Sequence, residues 1–159
     1  MIVAYNELMS SRKISSRLEE KLDQGRLPEG IIALYLYGSI QQGRLREDSD
    51  VDVALLPSPI LDDSEKLQLI AKVEALFTSA LREIGLPREV SVLEMRGKYV
   101  PLELLHQVIT RGTLVYEQDA SERLEFENAL QGEYFDFRFT PPSSQTETSW
   151  KSIGKSSKP

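Results

Sequence analysis

The 159-residue sequence contains no cysteine, one histidine and one tryptophan. Without cysteine the chain has no disulfide framework, no thiolate zinc site and no cysteine nucleophile. Its N-terminus lacks a basic segment followed by an apolar stretch, so no secretory signal is expected. Its apolar runs are all shorter than a membrane span needs. We therefore expect a cytoplasmic protein with no membrane association.

Basic residues are the minority among the charged residues. The chain has 19 Lys and Arg against 25 Asp and Glu, which gives a net charge of −6 and a pI near 4.9. Non-specific nucleic-acid binding requires a basic surface, so direct binding to nucleic acid is not expected. The acidity suits a basic protein partner, or serves solubility alone. The length and the 40% hydrophobic content fit one domain with a true core.

The most informative pattern is a pair of apolar runs, each joined to polar residues. The run 31–37 predicts a buried strand and is followed at once by Gly38 and Ser39. Ten residues then separate Ser39 from Asp50, which with Asp52 is set into the second apolar run. Because side chains alternate along a strand, both carboxylates are expected to project from one face.

Two carboxylates on an apolar strand require a partner or a metal ion. Mg²⁺ is commonly held by one or two carboxylates together with substrate phosphates. Gly38 allows a phosphate to approach the backbone, and a helix beginning at Ser39 would direct its N–H groups toward an anion. The pattern thus favours a metal–nucleoside triphosphate site. Taken separately, Gly-Ser also fits a simple turn, and Asp-x-Asp fits a solvated strand end.

The spacing of Gly38-Ser39 and Asp50-x-Asp52 resembles the signature of the polymerase-β-type nucleotidyltransferase fold. The run from 111 to 117, Arg-Gly-Thr-Leu-Val-Tyr-Glu, is similar to the same region of the minimal nucleotidyltransferases, and the resemblance covers roughly residues 28–139. It implies Mg²⁺-dependent transfer of AMP from ATP to a hydroxyl group. Asp50 and Asp52 would hold Mg²⁺, while Gly38 and Ser39 would cradle the β- and γ-phosphates.

Three further residues take their roles from this resemblance. The family often has a basic residue just after the glycine of this loop, which makes Arg44 a candidate nucleotide-binding residue; it could instead pair with a nearby acidic residue or with solvent. The family's third metal-binding aspartate falls on Ser91 here. Glu89 lies two residues earlier on the same predicted face. It joins Asp50 and Asp52 as a candidate catalytic residue.

The resemblance also implies a biological partner. Minimal nucleotidyltransferases are antitoxins of HEPN/MNT toxin–antitoxin pairs, and they silence a HEPN-family RNase toxin by adenylylating one of its tyrosines. A hetero-oligomer with such a toxin is therefore expected. One alternative is a catalytically impaired antitoxin that acts by binding alone. Another is a small-molecule nucleotidyltransferase of the aminoglycoside-modifying type, although the chain lacks an additional helical domain that would help to hold a drug.

The predicted fold class is α/β, with a small mixed sheet covered by helices. A strand, a long helix and another strand predict a crossover connection back onto the same sheet. Residues 1–139 are expected to form the domain and residues 140–159 a flexible tail. The apolar stripe of the long helix is expected to include Leu67. Helices are predicted over 6–24, 63–85, 101–111 and 120–138, with strands over 30–37, 50–56, 88–95 and 113–116.

Two aromatic features have competing interpretations. His106, the only histidine, is a conceivable general base, but beside two leucines on a short helix it is better explained as a packing or surface residue. Phe135, Phe137 and Phe139 cluster at the end of the last helix. They would either pack on the core or form a surface that binds a partner.

Overall fold

A computed structural model describes residues 11–40 and 49–139. In this part of the chain four strands form one mixed sheet in the order β3-β2-β1-β4, and four α-helices cover it. The predicted α/β class is therefore confirmed. The elements are α1 (Ser11–Gln24), β1 (Ile31–Tyr37), a 3₁₀ turn (Gly38–Ile40), β2 (Val51–Pro57), α2 (Asp63–Glu83), β3 (Val90–Glu94), α3 (Leu102–Arg111), β4 (Thr113–Glu117) and α4 (Ala120–Phe139).

The strand directions follow from the lengths of the connections. β1 pairs antiparallel with β2 and with β4, whereas β2 and β3 are parallel and are joined through α2. Parallel neighbours require such a crossover, because a tight turn can join only antiparallel strands. β1 lies in the middle of the sheet, and all but its last residue are buried. This burial explains why its sequence is apolar on both faces.

The sheet separates two apolar layers. On one face Val51, Val53 and Leu55 pack with α1 and α2. On the other face Ala54 and Leu56 pack with α3 and α4. The alternation predicted for this strand is confirmed, and it assigns Asp52 to the α3/α4 face of the sheet.

Helix α2 begins with a complete capping box. Asp62 Oδ1 accepts a 2.8 Å hydrogen bond from the backbone N–H of Glu65, and Glu65 Oε1 accepts one of 2.9 Å from that of Asp62. The prediction that Leu67 belongs to the buried stripe was wrong, since its side chain is 68% exposed. Leu67 lies about 200° around the helix from Leu69, the first buried residue. The buried residues of α2 are Leu69, Val73, Phe77, Ala80 and Leu81.

Three sequence predictions concern residues outside those described. They are the start of the first helix at residues 6–10, the loop 41–48 that contains Arg44, and the tail 140–159. Across residues 11–40 and 49–139, the helices are too short or too polar to cross a membrane.

Candidate functional site

The centre of the candidate site is the contact between the end of β1 and the start of β2. Tyr37 pairs with Asp52 across the two antiparallel strands, so the next residue, Gly38, lies directly against the Asp52 carboxylate. Gly38 has φ +79°, and a Cβ placed on it would be 2.5 Å from Asp52 Oδ2. Glycine is therefore required at this position for two reasons, its backbone conformation and this close approach.

The two carboxylates differ in their exposure. Asp50 is exposed just before β2, whereas Asp52 is half-buried within the strand. Burial raises the pKa of Asp52, and the negative charge of Asp50 raises it further. Burial and the charge of Asp52 also raise the pKa of Tyr37, to about 12. A cation bound between Asp50 and Asp52 would relieve this repulsion, so their donor set suits Mg²⁺.

Ser91 occupies the corresponding position on the neighbouring strand. It pairs with Asp52 in the parallel register of β2 and β3, and it is exposed. Paired residues of parallel strands point to the same face, so Ser91 lies on the Asp52 side of the sheet. The structure therefore brings Gly38, Asp52 and Ser91 together from three different segments of the chain.

Glu89 lies just before β3. Its carbonyl oxygen accepts a 2.8 Å hydrogen bond from the Val51 N–H, and the residue borders a groove between α2 and the start of β3. Within residues 11–40 and 49–139, no three His, Cys, Asp or Glu side chains are arranged to hold one metal ion. In this conformation Asp50, Asp52 and Glu89 accordingly do not form a three-carboxylate centre.

The loop after β1 is described only in part. Ser39 is half-buried in the single 3₁₀ turn Gly38–Ile40, which begins one residue before the predicted helix start. The position of Arg44 relative to the carboxylates lies outside the described residues.

A polar network under α4 was missed by the sequence analysis. The Tyr35 hydroxyl, on a residue that is 2% exposed, donates a 2.6 Å hydrogen bond to Glu127 Oε2. Arg123 Nη1 donates a 2.9 Å hydrogen bond to the same oxygen, and Arg123 Nε donates to Glu117. The four-residue spacing of Arg123 and Glu127 was the available signal, because such residues meet on one helix face. Tyr35 proved to be a core residue with a satisfied hydroxyl.

His106 has the packing role that the sequence favoured. Its ring stacks on Tyr134 of α4 with centroids 3.6 Å apart and planes within 3°. Phe135 meets the same ring edge-on at 5.9 Å. Phe135 and Phe137 remain 46% and 58% exposed, so the end of α4 presents aromatic surface to solvent.

Comparison with known proteins places this arrangement in a family. The family profile described as "Polymerase beta, Nucleotidyltransferase" matches residues 13–121, which include the strand pair and the candidate nucleotide- and metal-binding residues from Gly38 to Ser91. The chain belongs to this nucleotidyltransferase family.

Individual relatives narrow the resemblance. Protein adenylyltransferase MntA of Shewanella oneidensis is 26% identical over 91 residues, which cover 57% of this chain and 58% of that protein. A crystal structure of a toxin–antitoxin complex with AMP-PNP contains a chain with 22% identity and a TM-score of 0.52, matched over 87% of this chain and 94% of that one. A variant MntA–HpeT complex gives 20% identity and a TM-score of 0.50, over 87% and 92% of the two chains. These likenesses establish a shared fold.

Proposed function

We propose that this protein is an antitoxin that transfers AMP from ATP to a tyrosine of a HEPN-type RNase toxin in the cytoplasm. The observation that carries the proposal is the contact between Gly38 and Asp52, with the exposed Asp50 two residues away, just before β2. It joins a positive-φ glycine turn to two carboxylates whose charges repel each other. The proposal assigns this activity to residues 1–139.

Each candidate residue has a defined task in this reaction. Asp50 and Asp52 hold Mg²⁺, which when bound neutralises the triphosphate and the charge that develops on the leaving pyrophosphate. Gly38 and Ser39 offer backbone and hydroxyl donors to the β- and γ-phosphates. Arg44 supplies a guanidinium for the same oxygens. Glu89 would have to leave its place at the groove against α2 to act as a third carboxylate.

The transfer itself is a single displacement. The tyrosine oxygen forms a bond to the α-phosphorus while the bond from that phosphorus to the bridging oxygen of the β-phosphate breaks. Pyrophosphate leaves with the electron pair of the broken bond, and the hydroxyl proton passes to a carboxylate or to solvent. The products are an AMP–tyrosine ester, pyrophosphate and one proton, so positioning and charge stabilisation account for the catalysis.

The partner is inferred from the relatives. The curated relative is a protein adenylyltransferase, and the two solved structures described above are toxin–antitoxin complexes, one of them with AMP-PNP. The sequence match spans 58% of the curated relative, and the acceptor tyrosine is assigned through the resemblance to minimal nucleotidyltransferases.

A second candidate function is neutralisation by binding alone. Ser91 favours it, because a neutral hydroxyl stands beside Asp52 where a third carboxylate would strengthen metal binding and proton removal. An antitoxin of this kind would retain the complex and lose the transfer.

Mass spectrometry of the cognate toxin distinguishes the two functions. The toxin is incubated with ATP, Mg²⁺ and either the wild-type protein or an Asp50→Ala/Asp52→Ala double variant. Transfer predicts a gain of one or more AMP units with the wild type only. An unmodified toxin that forms an equally stable complex with both proteins would eliminate the transferase and leave the binding antitoxin.

A further inference from the structure

The position of Ser91 determines what the candidate site can hold. Parallel neighbouring strands lie about 4.8 Å apart, and Ser91 is the residue of β3 that pairs with Asp52. Its side chain is exposed on the same face as the carboxylate. Among the residues of β3, Ser91 is therefore the one whose side chain stands directly beside Asp52.

A second divalent cation requires ligands that a serine does not supply. The two ions of a two-metal site lie about 3.5–4 Å apart, so their repulsion has to be offset by several negative ligands. Asp50 and Asp52 provide two carboxylates, and no third acidic or histidine side chain joins them within the described segments. A neutral hydroxyl is a weak ligand that leaves the charge of a second ion uncompensated.

Glu89 does not take the place of Ser91 in the register. It lies two residues earlier, which displaces its backbone by roughly 6–7 Å along the strand. Its carbonyl oxygen is fixed by the Val51 N–H, and the residue borders the groove against α2.

We infer that Ser91 limits this site to one divalent cation, which Asp50 and Asp52 hold together with the phosphates of the bound nucleotide. This inference rests on the proposed function and deepens it, because it specifies the metal content of the same site. It also identifies Ser91→Asp as the substitution that converts the site to two ions, since an aspartate there would stand beside Asp52.

Native mass spectrometry of the full chain can count the ions directly. The wild type, Ser91→Asp and Ser91→Asn are each mixed with AMP-PNP and Mn²⁺, and the number of manganese ions in the protein–nucleotide complex is determined. Ser91→Asn is the matched control, because asparagine has the shape of aspartate without its charge. One ion is expected in the wild type and in Ser91→Asn, and two in Ser91→Asp.

The outcomes separate this inference from the proposed function. Two ions in the wild-type complex, or one in Ser91→Asp, would overturn the inference while leaving the nucleotide site intact. A wild type that takes up neither AMP-PNP nor Mn²⁺ would overturn both.

Thermal unfolding provides a second measurement that does not depend on counting the bound metal ions. A third carboxylate beside Asp52 adds repulsion, so Ser91→Asp should melt below Ser91→Asn when no divalent cation is present. Mn²⁺ with AMP-PNP should raise the melting temperature of Ser91→Asp more than that of Ser91→Asn, because the aspartate then has a cation to bind. Equal shifts for the two variants would contradict the inference.

Discussion

The Tyr35 hydroxyl of β1 donates a 2.6 Å hydrogen bond to Glu127 Oε2 of α4. Burial of Tyr35, followed by its contact with Glu127, raises the pKa of the phenol far above its ordinary value, so the hydroxyl keeps its proton and remains a donor. Arg123 holds Glu127 from the other side. The network thereby fixes α4 on the sheet face that also carries Asp52.

Removing this hydroxyl should destabilise the fold without abolishing the site. Tyr35→Phe deletes a hydrogen bond to a charged acceptor, which is worth about 1.5–3 kcal/mol. We expect a loss in the free energy of unfolding within that range in urea denaturation, with nucleotide binding retained. Tyr116→Phe is the control, because the Tyr116 hydroxyl bonds Gln118 at an exposed position, where a loss below about 0.5 kcal/mol is expected. Equal losses for the two variants would contradict the role given to the buried network.

Two glycine-to-alanine substitutions should change the free energy of unfolding in opposite directions. Gly38→Ala places a Cβ against Asp52 and forces alanine into a positive-φ conformation, at a cost of about 1–3 kcal/mol. Gly132→Ala fills open space on the exposed side of α4 and should stabilise the protein by about 0.5–1 kcal/mol. Chemical denaturation of each variant measures the change in its free energy of unfolding. If Gly38→Ala left the free energy of unfolding unchanged, the turn would relax easily around the added Cβ. The close approach to Asp52 would then not explain why glycine is needed at this position.

Asp52 should lower the stability of the ligand-free protein. Burial and the charge of Asp50 raise its pKa in the folded state, so its ionised form is disfavoured there. Asp52→Asn is therefore expected to melt at a higher temperature than the wild type at neutral pH while losing metal-dependent nucleotide binding.

The pH dependence of that difference has a definite sign. The destabilisation is fully present above the folded-state pKa of Asp52, declines as the pH falls through that value, and vanishes below the ordinary value of 3.8. The gap in melting temperature between the wild type and Asp52→Asn should accordingly narrow from pH 7 toward pH 4. If the difference in melting temperature stayed constant over this pH range, it would arise from packing and not from the charge of Asp52.

The His106 ring should contribute to packing and not to catalysis. His106→Ala removes the ring stacked on Tyr134, which costs about 0.5–1.5 kcal/mol beyond the loss of buried area. A double-mutant cycle with Tyr134→Ala measures the coupling, and the rate of the proposed adenylyl transfer should be nearly the same for His106→Ala as for the wild type. A large fall in the transfer rate, with little coupling between His106 and Tyr134, would instead indicate a catalytic role for His106.

Phe137 is a test position for partner binding. Phe137→Ser should leave the melting temperature almost unchanged, since the side chain is 58% exposed, but it should weaken the complex with the HEPN-type toxin proposed as partner. Leu67→Ser is the matched control, because Leu67 is 68% exposed on α2, on the opposite face of the sheet. Calorimetric titration of the toxin with each variant measures the effect. Equal affinities would place the interface elsewhere.

The sequence was sufficient to predict the strands, because their patterns are local. The apolar run before Gly38 specifies a strand that is buried on both faces, and the alternation around Asp52 specifies a strand and the face that carries its carboxylate. The crossover followed from the length of the helix between β2 and β3. The crossover connection could thus be predicted without knowledge of the packing, whereas the mixed sheet followed from the family resemblance.

The long-range contacts could not be predicted in the same way. The bond from Tyr35 to Glu127 joins residues 92 positions apart, and it depends on how α4 lies across the sheet. Leu67 was misassigned because an apolar residue on a helix fits more than one stripe until a neighbouring element selects the buried face. The pairing of Asp52 with Ser91 was not predicted, because the family resemblance only matched the third metal-binding aspartate to Ser91.

The alternation of β2 makes the core and the candidate site depend on a single register. Val51, Val53 and Leu55 fill the layer beneath α1 and α2, while Asp52 points the other way. Sliding this strand by one residue would drive the carboxylates into that layer and turn the three aliphatic side chains toward the face that carries the site. A strand paired in the wrong register would therefore lose its core packing and its site together. The burial of Val51, Val53 and Leu55 thus selects the register that forms the site.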